Sequence, residues 1–89
     1  MAKPNSLDKP HILVAEDEEF LRNLLLVSLE REGFIAVTVR DGVDALESFA
    51  SQHFDLVLLD VLMPRMDGFE VCAEIRKRSD VPVVLLTAL

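Results

Sequence analysis

Three carboxylates in this sequence each follow directly on a run of apolar residues. Glu16 and Asp17 come after Ile12-Leu13-Val14-Ala15, and Asp60 comes after Leu56-Val57-Leu58-Leu59. An acid at the end of one apolar run is, taken singly, most often a helix cap or a solvated turn. Two such ends that meet at one sheet edge call for a different reading. Three anions held close repel one another unless a cation sits between them. An all-oxygen ligand set without a His or Cys group suits Mg2+ (or Mn2+) better than Zn2+. Such an ion neutralises phosphoryl oxygens and holds phosphorus in line with a carboxylate nucleophile, and carboxylates form acyl phosphates. Thr87, at the end of the run Pro82 to Leu86, adds a hydroxyl able to bond a phosphoryl oxygen. Alone it would carry no weight.

The acids meet only if the chain folds in a particular way. Ile12 to Ala15 is a short continuous apolar stretch, the pattern of a strand buried on both faces of a parallel sheet. From Phe20 to Leu29 the positions Phe20, Leu21, Leu24, Leu25, Ser28 and Leu29 keep a helical period, and Gly33 is placed to end that helix. Phe34 to Val39 reads as a second strand. Asp41 then caps a helix that carries Val43, Leu46, Phe49 and Ala50 on one face. Phe54 to Asp60 is the third strand, and residues 61–66 form a loop. Asp67 with Glu70 has capping-box spacing for a helix burying Phe69, Cys72 and Ile75. Arg76, Lys77 and Arg78 suit its C-terminal end as a solvated cluster. Pro82 to Thr87 is the fourth strand.

The alternation β-α-β-α-β-α-β calls for right-handed crossovers and a parallel sheet covered by helices on both faces. The expected class is a three-layer α/β sandwich. If the strand order runs 2-1-3-4, the first and third strands are neighbours at the switch point where ligands bind. Residues 1–10, with two prolines and two lysines, read as a flexible lead-in, and residues 11–89 as the domain.

Composition narrows the partners. Nine basic residues against sixteen acidic ones give a net charge of -7, which disfavours direct nucleic-acid binding by this chain. No apolar run approaches the length of a membrane span, so the expectation is a soluble, cytoplasmic chain with no membrane contact. A single cysteine, Cys72, excludes an internal disulfide and is assigned to the core. His53 precedes the third strand, away from the acidic edge, and is given no role.

Taken together in this order, three segments resemble the receiver domain of two-component response regulators: Ile12 to Glu18; Asp55 to Pro64 with Met66-Asp67-Gly68; and Pro82 to Ala88. The resemblance covers about residues 11–89 and implies a flavodoxin-like fold with a parallel sheet of order 2-1-3-4. It implies that Asp60 accepts a phosphoryl group from the phosphohistidine of a sensor histidine kinase or phosphotransfer protein. It also implies that Glu16, Asp17, Asp60 and the main-chain carbonyl of Leu62 coordinate Mg2+ (or Mn2+). Thr87 resembles the switch hydroxyl, and the small Ala88 beside it leaves room for the phosphoryl group. The first acid of the family is often Asp, and Glu16 reaches one methylene further.

The resemblance implies a module that catalyses its own phosphorylation rather than a multiple-turnover enzyme. A longer parent protein is expected to carry a DNA-binding output domain. The family's final helix, strand and helix have no counterpart in these residues, nor has the lysine that pairs with the phosphoryl group. The expectation is therefore a truncated receiver with an unpaired fourth-strand edge through which copies can associate. Apolar residues at Leu62 and Leu89 imply slow hydrolysis of the acyl phosphate. Two other readings stand beside this one. A phosphorylation-independent pseudo-receiver is weakened by the intact acids and Thr87, and gains from the missing lysine. A haloacid-dehalogenase-type phosphohydrolase needs a proton donor two residues after its nucleophile, where Leu62 stands.

Overall fold

This computed structural model describes residues 9–86, so the predicted roles of Thr87, Ala88 and Leu89 and most of the lead-in lie outside the described residues. The elements are β1 (His11–Ala15), α1 (Glu19–Arg31), β2 (Ile35–Val39), α2 (Gly42–Ser51), β3 (Leu56–Asp60), α3 (Gly68–Arg76) and β4 (Val83–Leu86). All strand pairs are parallel, in the order β2-β1-β3-β4. This is the order that the family resemblance implies, and it places β1 beside β3.

The core lies between the sheet and the pair α2 and α3. Leu13, Ala15, Val57 and Leu59 point to that side and meet Ala45, Phe54, Val71 and Ile75. Period-two alternation sends Ile12 and Val14 to the opposite side, where they are buried too. There α1 packs on β1 and β2. Burial on both faces is why the two central strands read as unbroken apolar runs.

The helix faces differ from the sequence reading in phase. On α1, Leu25, Leu26 and Leu29 are half-buried, whereas Phe20 is 74% exposed and Leu24 is also exposed. Packed on β1 and β2, α1 turns only part of its apolar surface to the sheet. On α3 the buried residues are Val71 and Ile75, Cys72 is half-buried against the core, and Phe69 is 60% exposed. On α2 the fully buried side chain is Ala45, while Ala50 is exposed. The close contact of α2 with α3 favours a small residue at that crossing.

The helix ends follow local chemistry. The Glu18 side chain accepts from the N–H groups of Phe20 and Leu21 and so caps α1, and Gly33 at φ 91° closes it. Asp41 caps α2 through the N–H of Asp44 at 2.9 Å. That bond, with help from the Arg65 guanidinium, holds the Asp41 carboxyl below its ordinary pKa. Asp67 and Glu70 form the expected reciprocal capping box.

Two glycines let backbones approach where a side chain would not fit. A Cβ on Gly42 would overlap the carbonyl oxygen of Met66, and one on Gly68 would overlap the carbonyl oxygen of Asp60. Both fix the loop that follows β3. Gly68→Ala is expected to destabilise the fold by about 2 kcal/mol, the scale of overpacking against rigid backbone. A urea melt of the variant matching the parent would contradict this packing.

Candidate metal centre

Strand register brings the predicted acids together. Ala15 pairs with Leu59 across β1 and β3, so the next residues, Glu16 after β1 and Asp60 at the end of β3, lie side by side at the sheet edge. The Glu16 N–H continues the pairing to β2 by bonding the Val39 carbonyl at 3.1 Å. Carboxylate oxygens of Glu16, Asp17 and Asp60 lie within 4.8 Å of one another. Among the described residues they are the one such group of three potential metal ligands.

The surroundings set the orientation of each acid. Glu16 accepts from the Glu18 N–H at 3.1 Å, and Asp60 accepts from the Leu62 N–H at 3.3 Å. Arg22, one turn into α1, donates from Nη1 to the carbonyl oxygens of Glu16 and Asp17 at 3.1 and 3.3 Å. It braces the turn between β1 and α1 from behind, through backbone rather than carboxylate. No Lys or Arg among the described residues forms an ion pair with any of the three acids.

Burial sharpens the conflict. Glu16 is 3% and Asp60 8% exposed, while Asp17 is open to solvent. The Glu16 carboxyl is pushed up to about 7, first by burial and then by its anionic neighbour Asp60, against the pull of the Glu18 N–H. One proton thus relieves part of the repulsion, and a divalent cation among three hard oxygens would relieve more. The donor set and the open side at Asp17 fit a Mg2+ ion that keeps some water ligands.

The acids line a cleft of about 390 Å³ with Glu18, Leu21, Leu62 and Leu86. Leu62, whose main-chain carbonyl the resemblance makes a ligand, also lines this cleft. Thr87 lies outside the described residues, but Leu86 before it borders the cleft. A larger cleft of about 510 Å³ opens at the other end of the sheet, lined in part by Phe49, His53, Asp55, Asp80 and Pro82. Its His53–Asp55 pair at 3.0 Å is exposed and belongs to no three-residue ligand cluster among the described residues. The chemistry favours the smaller cleft.

Two supports of the site escaped the sequence reading. Arg22 lies in a helix where nothing in the period marks its guanidinium as bound to the turn. Arg65 reaches across 24 residues to Asp41, a contact that only the fold creates.

Residues 12–89 match the response regulator receiver domain family. The chain belongs to this family. The relative "Probable transcriptional regulator ycf27" of Cyanophora paradoxa is 47% identical over 83 residues, which are 93% of this chain and 35% of that protein. The receiver thus spans about a third of the length of the curated relatives it matches. Among solved structures, the response regulator TrrA of Thermotoga maritima in complex with Mg(2+)-BeF is 44% identical with a TM-score of 0.86, covering 90% of this chain and 70% of that one. The complex of histidine kinase ThkA with TrrA matches at 45% identity and a TM-score of 0.84, covering 89% of this chain and 69% of that one. No helix among the described residues is long and apolar enough to cross a membrane.

The raised Glu16 pKa has a defined sign. A carboxyl that holds its proton more tightly in the folded state contributes stability that is fully present below its ordinary value. That contribution is lost as pH rises through about 7. In buffer containing a chelator, Asp60→Asn is expected to raise stability at about pH 8 by about 1 kcal/mol and to shrink the fall in stability above about pH 5. Thermal melts across that range are the check, and a destabilised variant with an unchanged pH profile would contradict the repulsion.

Proposed function

We propose that this receiver is the phosphoacceptor of a two-component phosphorelay, with Asp60 as the nucleophile. The observation that carries the reading is the meeting of three carboxylates within 4.8 Å at the ends of β1 and β3, two of them buried. The donor is the phosphohistidine of a sensor histidine kinase or phosphotransfer protein. The kinase complex of a similar regulator supports that partner class.

Glu16, Asp17, Asp60 and the main-chain carbonyl of Leu62 would hold Mg2+ (or Mn2+). When bound, the ion neutralises phosphoryl oxygens and removes the repulsion among the acids. An oxygen of Asp60 attacks phosphorus as the P–N bond to the partner's imidazole breaks. The bonding electron pair stays on the imidazole nitrogen, and the product is an acyl phosphate on Asp60. The Leu62 N–H already directed at Asp60 Oδ1 orients the carboxylate and keeps one lone pair occupied. Leu21, Leu62 and Leu86 line the cleft with apolar surface. Apolar side chains at Leu62 and Leu89 cannot orient a water molecule, which favours a slowly hydrolysed product.

Thr87 is assigned the switch hydroxyl that approaches the phosphoryl group and changes the protein's contacts. In a longer protein of the kind represented by the transcriptional regulator relatives, that change would govern a DNA-binding output. The chain's role is that of a self-phosphorylating switch.

Incubation with Mg2+ and a small phosphodonor, followed by intact mass measurement, tests the acceptor. A gain of about 80 Da that is lost in Asp60→Asn and suppressed by a chelator is expected. No gain, or a gain that persists in Asp60→Asn, would overturn the assignment.

A further inference from the structure

The loop between β3 and α3 contains the least ordinary backbone of the site. Arg65 has φ 68°, the one non-glycine residue with positive φ among the described residues. The N–H of Met66 bonds the carbonyl of Pro64 at 2.7 Å, closing a three-residue turn around Arg65. Side chains with a Cβ avoid this left-handed region because the Cβ crowds the neighbouring carbonyl, and such three-residue turns are strained. A free loop would relax out of it.

The side chain of the same residue shows what prevents this. Arg65 donates from Nε and Nη2 to Asp41 Oδ2 at 3.0 and 2.8 Å, and from Nη2 to Asp41 Oδ1 at 2.9 Å. A further bond reaches Asp44 Oδ1 at 3.2 Å. The anchor is itself fixed, since Asp41 is largely buried and caps α2. Beside it, Gly42 admits the Met66 carbonyl against the start of α2. The far end of the loop is tied back to the acceptor, with the Gly68 N–H on the Val61 carbonyl at 2.9 Å and the Leu62 N–H on Asp60 Oδ1. Five residues therefore run from the acceptor Asp60 to a forked ion pair on α2.

Exposed ion pairs commonly hold nothing in place. This one differs in its forked geometry, an acceptor that is itself held as the cap of α2, and the strained turn it closes. We propose that Arg65 is a positioning residue for the metal centre: its clamp on Asp41 and Asp44 holds the Pro64–Met66 turn, and through it fixes the Leu62 carbonyl and the Asp60 carboxylate. The proposal rests on the reading of the acidic cleft as a Mg2+ site. It assigns specificity of geometry to a side chain that touches neither the ion nor the phosphoryl group.

The test compares Arg65→Ala, Arg65→Gly and Arg65→Lys in the 89-residue chain. Mg2+ affinity is measured by calorimetry, and amide exchange of Met66 and Gly68 is measured without metal. Arg65→Ala and Arg65→Gly are expected to weaken Mg2+ binding about tenfold, the scale on which groups that orient a metal's ligands act. Both should speed exchange at Met66 and Gly68, and Arg65→Lys should recover part of each effect. Raised salt should weaken Mg2+ binding less in the Ala and Gly variants, which have no clamp to screen.

Affinity within about twofold of the parent in Arg65→Ala would overturn the proposal. So would parental affinity in Arg65→Gly alone, because glycine relieves the backbone without restoring the clamp. If no form binds Mg2+, the metal reading fails separately, and the clamp is then judged by exchange at Met66 and Gly68, where parental rates in Arg65→Ala overturn it. Exchange is read on Arg65→Lys and Arg65→Gly should the alanine variant unfold.

Discussion

Mutual repulsion among Glu16, Asp17 and Asp60 is the constraint around which this domain is arranged. Parallel pairing of β1 with β3 sets two acids side by side at the sheet edge, and burial removes the water that would otherwise screen them. A fold optimised for stability alone would place an amide or a cation there. Instead, the raised Glu16 pKa offsets only part of the charge, and a hard divalent cation among the three acids would offset more. The net charge of -7 deepens the negative field around that cleft.

The rest of the structure holds the acids in place despite their repulsion. Arg22 grips the backbone of Glu16 and Asp17, so its charge steadies the turn while the carboxylate oxygens stay free for other ligands. Glu18 satisfies the first amides of α1, and Asp41 and Asp67 do the same for α2 and α3. Gly42 and Gly68 bring α2 and the start of α3 against the loop that follows Asp60. Backbone packing and caps, rather than side-chain bulk, therefore set the position of Asp60.

The strands and the acids at their ends were legible because they depend on features that survive as local pattern, and strand order was legible through the family resemblance. Buried parallel strands appear as apolar runs, and their ends appear as abrupt charge. Helix phase was harder to read. Phe20 and Phe69 are large and apolar yet exposed, while the small Ala45 is fully buried, because the surface a helix packs against decides which part of an apolar stripe is used. The supports of the site were hidden for another reason. Arg22 and Arg65 act over contacts that exist only after folding, and a lone arginine carries no periodic signal. The proposed switch residue Thr87 was marked by its place after an apolar run and by the family resemblance.

The central claim is that one divalent cation is held by Glu16, Asp17, Asp60 and the Leu62 carbonyl. Substoichiometric Mn2+, followed by amide line broadening in the metal-free chain, tests it most directly. Broadening centred on residues 16, 17, 60 and 62, reversed by excess Mg2+ and reduced in Asp17→Asn, is the expected result. Broadening spread over Asp44, Glu47 and other acids away from the cleft, or unaffected by Mg2+, would contradict it.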